Sequence, residues 1–344
     1  MKVTVIGGSG YVGGEIIRLV LSHPDLNLFQ VTSERFAGKL LYKVHPNLRK
    51  ATNLKFISIE SLSPTDILFL ALPHGEAQKN IKKYLSLAPI VIDLSSDFRL
   101  KDEKEYEKWY GHPHLHPELL KKFVYGLPEI HREEIKKSKW ATGTGCLAIA
   151  TILGLYPLYK EKLVSTSVIE GKIGSSAGGN KFSLATHHPE RSGVVRSFQP
   201  TGHRHTAEMI QELSFNGEKP SISFSATSLD MVRGILITAH CFLNKEINEK
   251  DIWSLYRDYY KNEPFIRIVK EKTGIYRYPE PKILTGSNFC DIGFELDQEN
   301  NRIVIMTAID NMTKGAAGNG IQVLNIMCGF PENRGLEFLG MHPI

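Results

Sequence analysis

The sequence predicts an α/β protein with two domains, the first a doubly wound parallel sheet of Rossmann type and the second of α+β type. The chain has 344 residues, which is enough for two domains of ordinary size. Residues 1–145 alternate short β-branched runs with helical patterns, which is typical of a parallel sheet with crossover helices. From residue 146 onward, long alternating segments indicate a mixed or antiparallel sheet.

Short apolar runs separated by one amphipathic segment outline the first half. The predicted elements are strands at residues 3–6, 28–32, 55–59, 66–72 and 90–94, with a first helix at residues 11–22. The run at residues 66–72 is apolar enough to be covered on both faces. These elements in this order predict a doubly wound sheet.

The second half begins with a helix of about 14 residues that starts at Cys146. Further predicted elements are strands at residues 221–227, 234–243, 289–296 and 302–309, and helices at residues 209–213, 249–260 and 316–327. Alternating strands with few helices predict a sheet that is packed on one side.

Charge and cysteine usage limit the functional classes. The formal net charge of +5 favours acidic substrates or partners, but it lacks the density of a nucleic-acid binder. The four cysteines are far apart and form no C-x-x-C pair, which fits a reducing cytosol. With no leader pattern and no long apolar run, the sequence predicts a soluble, cytoplasmic protein that does not bind membranes.

A glycine-rich turn follows the first predicted strand. Gly7, Gly10 and Gly13 are spaced three residues apart, and Tyr11 and Val12 open the following helix. Such glycines allow a tight turn and close approach of a pyrophosphate to the positive end of the helix. The alternative is a purely structural turn between strand and helix, but the strand-turn-helix context favours nucleotide binding.

The end of the second predicted strand bears on the choice of dinucleotide. Ser33, Arg35 and Lys39 favour the 2′-phosphate of NADP, whereas Glu34 would suit the 2′-hydroxyl of NAD. A third interpretation is that these residues are solvated loop charges. The pattern favours NADP.

Cys146 lies directly after the glycine turn Gly143-Thr144-Gly145, at the start of an apolar helix. A helix N-terminus favours a thiolate, and the glycines allow a substrate to approach the sulfur. Cys146 is therefore a candidate nucleophile. Cys241, Cys290 and Cys328 lie within apolar patterns and are expected to belong to the core.

A thiolate nucleophile needs a partner for proton transfer. His203 and His205 flank Arg204 just before a helical pattern. Histidine titrates near neutral pH, and arginine binds phosphate or carboxylate groups. Each histidine nevertheless has an alternative, purely structural interpretation.

Another histidine group, His112, His114 and His116, lies in a proline-flanked segment. It invites a metal-site interpretation, but no acidic or cysteine ligand lies close in sequence. The sequence therefore predicts a polar surface loop and no metal site.

Several motifs occur in the same order as in one known family. They are residues 7–15 (GGSGYVGGE), 70–75 (LALPHG), 93–100 (DLSSDFRL), 125–129 (YGLPE), 145–146 (GC), 203–205 (HRH) and 308–318 (AIDNMTKGAAG). The chain resembles the N-acetyl-γ-glutamyl-phosphate reductases, which belong to the wider aspartate-semialdehyde dehydrogenase superfamily.

The resemblance implies roles for particular residues. Cys146 would be the nucleophile and His203 the acid/base, with His205 as the alternate. The phosphates of NADP would bind at Gly10 to Gly13, and the nicotinamide half would lie near Asn311, Lys314, Gly315 and Ala316. Apart from the resemblance, Arg204, Lys172 and His205 are candidates for substrate binding, and Arg191 and Lys181 are further candidates for binding its phosphate or carboxylate.

The resemblance also implies the domain division and the assembly. Residues 1–145 together with 316–344 would form the NADP-binding domain, and residues 146–315 the catalytic and dimerisation domain. The assembly would be a homodimer or a homotetramer.

One departure from the family pattern concerns the substrate. Thr144-Gly145-Cys146-Leu147 stands where the family usually has Pro-Gly-Cys-Tyr. This variant resembles the lysine-biosynthesis branch, whose substrate is carried on a small acidic amino-group carrier protein, LysW. The resemblance implies reduction of LysW-linked 2-aminoadipyl phosphate, and also glutamyl phosphate in some forms, to the semialdehyde.

Three alternatives to this activity stay open. The first is reduction of free N-acetyl-γ-glutamyl phosphate in arginine biosynthesis, and the second is an ordinary aspartate-semialdehyde dehydrogenase. The third belongs to a different class, a regulatory module that binds NADP without turnover. This last interpretation does not explain why a cysteine at a helix start and a His-Arg-His segment occur together.

The excess positive charge is concentrated in one segment. Residues 171–206 contain five basic residues, Lys172, Lys181, Arg191, Arg196 and Arg204, and a single acidic one, Glu190. A basic rim there would attract an anionic acyl phosphate and an acidic carrier. The alternative is that these charges are dispersed over the fold.

Overall fold

Two compact units make up the part of the chain that the computed structural model describes, residues 1–343. The first unit contains Met1–Thr144 and Ala316–Glu337, and the second contains Gly145–Gly315 and the segment that begins at Phe338. The sequence places this last segment in the first domain, and here the structure differs. Phe338 packs against Gly286, and the His342 ring contacts Tyr276, so the segment is held by the second unit.

A five-stranded parallel sheet forms the centre of the first unit. Its elements are β1 (Lys2–Ile6), α1 (Tyr11–Ser22), β2 (Asn27–Val31), β3 (Ile67–Leu70), α2 (Glu76–Lys79), α3 (Ile81–Leu87), β4 (Ile90–Asp93), α4 (Glu103–Tyr110), α5 (Pro117–Leu120), α6 (Pro128–Lys137) and β5 (Trp140–Thr142). The strand order is β2-β1-β3-β4-β5, and each neighbouring pair is parallel. The chain places β2 and β3 on opposite sides of β1, so the ligand-binding switch point lies at the carboxyl ends of β1 and β3.

Burial explains which segments became strands. All four residues of β3 are apolar and fully buried, as the central strand of a covered parallel sheet requires. The predicted strand at residues 55–59 is wrong, because this segment makes only single-residue bridges, Leu40 with Lys55 and Thr32 with Ile57. The fifth strand is instead β5, which at three residues is too short to show a pattern in the sequence.

A seven-stranded mixed sheet forms the second unit. Its elements are α7 (Cys146–Lys160), β6 (Val164–Ile173), α8 (His188–Arg191), β7 (Val195–Gln199), α9 (His205–Glu212), β8 (Ser221–Leu229), β9 (Ile235–Leu243), α10 (Glu249–Tyr260), β10 (Ile266–Ile268), β11 (Cys290–Asp297) and β12 (Arg302–Ile309). The strand order is β10-β11-β12-β9-β6-β8-β7. The predicted helix at residues 249–260 and strand at residues 302–309 are confirmed with the same bounds.

The last helix, α11 (Gly318–Cys328), belongs to the first unit. It begins two residues later than the sequence predicts, because a π-helical turn, Thr313–Ala317, precedes it. Asn319 in its first turn donates a hydrogen bond to the Gly126 carbonyl at 2.6 Å. Among residues 1–343, no helix combines the length and the apolar character needed to cross a membrane.

Helix α7, which begins at Cys146, contains a proline whose missing N–H is replaced by a tyrosine hydroxyl of α10. Pro157 lacks the N–H that would bond the Leu153 carbonyl one turn earlier. The Tyr260 hydroxyl on α10 donates to this carbonyl at 2.6 Å, and the Tyr256 hydroxyl donates to the next one, Gly154, at 2.5 Å. Tyr260 of α10 therefore supplies the donor that α7 lacks at Leu153, and Tyr256 binds the neighbouring carbonyl.

Replacing Tyr260 with phenylalanine should leave the buried Leu153 carbonyl without this donor. We expect a loss of about 1–3 kcal/mol in the free energy of unfolding, measured by urea denaturation. Tyr259→Phe is the matched control, because Tyr259 bonds a surface carboxylate and its loss should cost under about 0.5 kcal/mol. In a Pro157→Ala background, which restores the backbone N–H, Tyr260→Phe should cost less. Equal losses for Tyr260→Phe in both backgrounds would contradict this account.

Candidate active site

The thiol of Cys146 lies at the positive end of a helix. Cys146 is the first residue of α7, Gly145 is its N-cap, and the first turn contains no acidic side chain within the described chain. The Cys146 side chain is partly exposed, whereas the next residues of the helix are buried. The helix end favours a thiolate at a position that a substrate can reach.

Gly145 is held by a buried carboxylate. Its N–H donates to Oε2 of Glu208 at 2.8 Å, and Glu208 on α9 is fully buried. A Cβ atom on residue 145 would lie 2.5 Å from Oε1 of Glu208 and 2.8 Å from Nε2 of His205. Only glycine fits here, so this contact fixes the backbone immediately before Cys146.

Cys146 opens onto a cavity of about 240 Å³ within the second unit. Its wall is formed by the residues that follow β6, the loop around α8, strand β7 and the start of α9. The side chains of the cavity that carry chemistry are Cys146, Arg191, Arg196, His203, Arg204 and His205. The structure thus brings both predicted histidines together with the predicted nucleophile.

His203 is uncharged in this cavity. Its ring makes edge contacts with Phe198 and Phe224, and burial, together with the neighbouring Arg204 charge, lowers the pKa of His203 to about 4. The backbone N–H of His205 donates to Nδ1 of His203 at 3.2 Å. The neutral ring therefore carries its proton on Nε2, where it is a hydrogen-bond donor.

His205 is buried, at the first position of α9. The helix predicted at residues 209–213 begins four residues earlier, so His205 lies on the helix and not ahead of it. Its ring is 4.7 Å from that of His203, centroid to centroid, and lies against Gly145. Both histidines line the cavity, and His205 in addition contacts the backbone before the nucleophile.

Three arginines supply positive charge to the cavity: Arg191, Arg196 and Arg204. The guanidinium of Arg191 donates to the Ser228 hydroxyl and the Leu229 carbonyl of β8, and that of Arg196 donates to the Glu190 carbonyl at 2.9 Å. Arg191 and Arg196 therefore have fixed positions, and Arg204 is more exposed. An anion with phosphate or carboxylate oxygens suits this set of donors.

The sequence predicts that Lys172 binds substrate, but the structure places Lys172 away from the cavity at Cys146. Gly171, the preceding residue of β6, faces Leu147 of α7, and successive residues of a strand point to opposite faces. Lys172 therefore lies on the other face of the sheet, where its charge acts on His240. It does not line the cavity at Cys146.

The residues after β12 contact Cys146 and the loop beside its cavity. Gly315 lies so close to Cys146 that a Cβ on residue 315 would be 2.9 Å from the Cys146 Cβ. Asn311 accepts the Gly234 N–H at 2.8 Å and donates to Ser176 at 2.9 Å, next to the loop that lines the cavity. The Lys314 side chain is fully buried, with its ammonium 5.8 Å from the Phe265 ring centroid.

The glycine turn of the first unit has the geometry of a phosphate site. Gly7 has a φ of +80°, and a Cβ on Gly13 would lie 2.5 Å from the Gly7 carbonyl oxygen. By contrast, a Cβ on Gly10 would have no neighbour nearer than 3.7 Å. No side chain caps α1 and no acidic residue lies in its first turn, within residues 1–343. The turn therefore leaves room for an anion at the helix end.

The segment after β2 is organised around the same turn. The Ser33 hydroxyl donates to the Ser9 hydroxyl at 2.9 Å. Arg35 and Lys39 both lie over the Phe36 ring, at 5.1 and 5.5 Å from its centroid. The Glu34 carboxylate accepts the Ile59 N–H at 2.8 Å and is thus engaged away from the turn.

The histidine segment 112–116 is only partly a surface loop. His114 is buried against the rings of Tyr106 and Phe98, and His112 stacks on His74. The aromatic neighbours have no signature in the local sequence, which explains the difference from the prediction. Across the described residues 1–343, no cluster of three His, Cys, Asp or Glu side chains is arranged to hold a metal ion.

For some residues of the site, no local sequence pattern indicates a role. Glu208 was not predicted, although a helical acid three residues after His205 is a position from which a side chain can reach the helix start. Phe198 was not predicted either, because its role depends on the pairing of β7 with β8.

Comparison with known proteins places the whole chain in one family. The family model described as "Semialdehyde dehydrogenase, NAD binding domain" matches residues 2–138, and "Semialdehyde dehydrogenase, dimerisation domain" matches residues 146–311. A Thermomicrobium roseum protein named as a LysW-L-2-aminoadipate 6-phosphate reductase is 54% identical over 100% of this chain and 99% of its own length. The protein of that name from Deinococcus radiodurans is 50% identical over 99% of this chain and 98% of its own length.

A third relative and the solved structures extend the comparison. A Pyrococcus furiosus protein, named as a LysW-L-2-aminoadipate/LysW-L-glutamate phosphate reductase, is 46% identical over the full length of both chains. Aspartate semialdehyde dehydrogenase II of Vibrio cholerae has a TM-score of 0.71 at 15% identity, covering 95% of this chain and 98% of that one. The Candida albicans enzyme, solved with NADP, has a TM-score of 0.69 at 14% identity with the same coverage. These two structures share the fold.

The low pKa of His203 has a testable origin. Replacing Arg204 with glutamine removes the neighbouring positive charge, so the pKa of His203 should rise above about 4. It should stay below 6.5, because burial is the larger cause. Arg196→Gln is the matched control and should leave the value unchanged. Titration of the His203 ring resonances by NMR measures both, and a wild-type value in Arg204→Gln would contradict this assignment.

Proposed function

The chain belongs to the semialdehyde dehydrogenase family, and on that premise we propose that it is an NADPH-dependent reductase of a carrier-bound acyl phosphate. Its substrate would be 2-aminoadipyl 6-phosphate linked to the carrier LysW, with glutamyl 5-phosphate as a second substrate. The products are the corresponding semialdehyde and inorganic phosphate. The observation that carries the proposal is one cavity containing Cys146, His203 and three arginines.

In this proposal Cys146 is the nucleophile. Its thiolate attacks the acyl carbon, a carbon–sulfur bond forms, and the carbon–oxygen bond to phosphate breaks with its electron pair leaving on phosphate. The helix end stabilises the thiolate before the attack. Arg204 and Arg196 are suited to bind the departing phosphate, because guanidinium groups pair with oxyanions through parallel hydrogen bonds.

His203 is the proposed proton-transfer residue. As a neutral ring with its proton on Nε2, it donates a hydrogen bond to the oxygen that becomes negative when the acyl group is attacked or reduced. The thiohemiacetal on Cys146 is held as an oxyanion by the Nε2–H of His203. When it collapses, the electron pair of the oxyanion re-forms the carbonyl, the carbon–sulfur bond breaks, and the semialdehyde leaves with the thiolate restored. His205 stays an alternative for proton transfer, because its ring lies against Gly145.

The cofactor of the proposed reaction is NADP. When bound, NADPH supplies the hydride that reduces the acyl group. Gly7, Gly10 and Gly13, with Tyr11 and Val12, are proposed to hold its phosphates at the open end of α1. Ser33 and Arg35 are proposed to bind the 2′-phosphate. The acid that would favour NAD, Glu34, is engaged by the Ile59 N–H, which supports NADP over NAD.

The residues after β12 are proposed to serve the nicotinamide half of the site. Gly315 supports this role through its contact with Cys146. Asn311 and Lys314 would act indirectly, since the Asn311 amide bonds Gly234 and Ser176 and the Lys314 side chain is buried. Their contribution would be to hold the backbone that presents Gly315.

The carrier is proposed to dock beside the cavity. The curated relatives described above are named for LysW-linked substrates, and the loop after β6 offers the exposed cation Lys181 next to the exposed side chains of Phe182 and Leu184. Arg191 is tied to β8 and is better suited to shape the cavity than to meet a partner. An acidic carrier would be attracted to this loop in a salt-dependent way.

Self-association through the second unit is a further part of the proposal, as a homodimer that can pair into a homotetramer. The matching family model for this region is described as a dimerisation domain. The sheet face away from α7 carries the exposed apolar side chains of Val168 on β6 and Phe242 on β9. Burial of such side chains is a typical driving force for association.

The covalent step has a direct test. Wild-type enzyme mixed with the carrier-linked acyl phosphate in the absence of NADPH should gain the mass of the acyl-carrier group on Cys146. Cys146→Ser should show no thioester and no phosphate-dependent reduction of NADP by the semialdehyde. Cys328→Ser, which removes the other partly exposed thiol, should retain both. His203→Asn should slow turnover by about 10² or more.

Near-wild-type turnover in Cys146→Ser would refute the proposed mechanism. If His203→Asn is near normal and His205→Asn is impaired, the proton-transfer role belongs to His205. Faster turnover of free N-acetyl-glutamate semialdehyde than of the carrier-linked semialdehyde would favour the arginine-biosynthesis activity instead.

Carrier docking can be separated from chemistry by charge reversal. Lys181→Glu should raise the KM for the carrier-linked substrate several-fold and reduce its dependence on salt. The kcat should be unchanged, and so should the rate with the free semialdehyde. Lys250→Glu, an exposed reversal on α10 near the other end of the sheet order, is the matched control. A KM that Lys181→Glu leaves unaltered would remove this loop as the docking site.

A further inference from the structure

A histidine of the first unit, His45, contacts the glycine turn directly. His45 lies between two short 3-10 turns in the segment that follows β2, and its Nε2 is 2.7 Å from the carbonyl oxygen of Gly8. None of the roles proposed above uses this side chain. We propose that His45 is a positioning residue that sets the geometry of the dinucleotide-binding turn, an inference that rests on the NADP site proposed above.

The bond from His45 fixes one peptide plane of the turn. Since the acceptor is a carbonyl, Nε2 must carry the proton and donate it. The peptide between Gly8 and Ser9 is planar, so holding the Gly8 C=O towards His45 directs the Ser9 N–H the opposite way. A single side chain thereby determines the orientation of an amide in the phosphate-binding turn.

The His45 ring also takes up the space beside the first turn of α1. A Cβ on Gly14 would lie 2.5 Å from Cε1 and 2.7 Å from Nδ1 of His45. The ring therefore requires glycine at position 14, and it packs against Gly14 while bonding Gly8. Burial lowers the pKa of His45, which favours the neutral ring, and the bond to Gly8 selects the tautomer with its proton on Nε2.

The segment between β2 and His45 is thus tied to the turn at both ends. At one end the Ser33 hydroxyl bonds Ser9, and at the other end His45 bonds Gly8. Arg35 and Lys39, which lie over Phe36, are located between these two anchors. The residues proposed to select the 2′-phosphate and the turn proposed to bind the pyrophosphate are therefore parts of one connected structure.

The first experiment measures NADPH binding to the full-length enzyme by isothermal titration calorimetry. His45→Leu keeps an apolar side chain of similar size but removes the donor, and its Kd should rise about tenfold, in line with the loss of one hydrogen bond. His45→Gln, which retains an N–H donor, should stay within about threefold of the wild type. The kcat at saturating NADPH should be unchanged within about twofold in both variants.

Steric displacement of the ring provides a second, independent test. Gly14→Ala introduces the Cβ that collides with His45, so it should weaken NADPH binding to a similar degree. In a His45→Ala background the ring is gone, and adding Gly14→Ala should weaken binding no further. The combination keeps the inference testable even if His45→Leu does not fold, and it isolates the contact between residues 14 and 45.

The results separate the inference from the function on which it rests. If wild-type protein does not bind NADPH, the proposed function fails. If wild-type protein binds and His45→Leu binds equally well, only the positioning role fails. A purely structural role would lower the melting temperature of the ligand-free protein without changing the Kd measured well below that temperature. Additive effects of His45→Ala and Gly14→Ala on binding would also overturn the inference.

Discussion

The hydrogen bond from the Gly145 N–H to the buried carboxylate of Glu208 is the constraint on which the candidate site depends. It joins the start of α7 to α9, and it leaves no room for a side chain at residue 145. Both consequences matter for Cys146. The thiol is placed at the positive end of a buried helix, and the backbone before it cannot move without displacing His205. In the proposed mechanism, a nucleophile held in this way would need little reorganisation before it attacks.

The cavity combines two kinds of environment that serve different purposes. Aromatic edges from Phe198 and Phe224 bury His203 and keep it neutral, while arginine side chains keep the cavity positive. A charged His203 would compete with Arg204 for the same anion, and the two positive charges would repel each other. Since its proton is on Nε2, the neutral ring still donates a hydrogen bond. In the proposed mechanism, the arginines would therefore bind the anion and His203 would donate the hydrogen bond.

Features encoded by neighbouring residues could be predicted from the sequence, and those that depend on tertiary contacts could not. The glycine turn, the cysteine at a helix start and the His-Arg-His segment each lie within a few residues, so their pattern is visible. The face of β6 on which Lys172 lies depends on the register of the sheet, and the burial of His114 depends on distant aromatic rings. Glu208 was missed because its importance comes from Gly145, 63 residues earlier in the chain.

The proposed selectivity for NADP also depends on contacts between segments that are separate in the sequence. Glu34 is the one acid at the end of β2, and its bond to the Ile59 N–H adds to the backbone bonds of Ile57 that hold residues 55–59 beside the β2 end. The same segment packs Phe56 next to Phe36, the ring over which Arg35 and Lys39 lie. Residues 55–59 thus bond the Glu34 carboxylate and, through Phe56, pack against the ring that contacts Arg35 and Lys39. In the proposed NADP site, the preference for a 2′-phosphate would therefore depend on the packing of the segment and not on Arg35 alone.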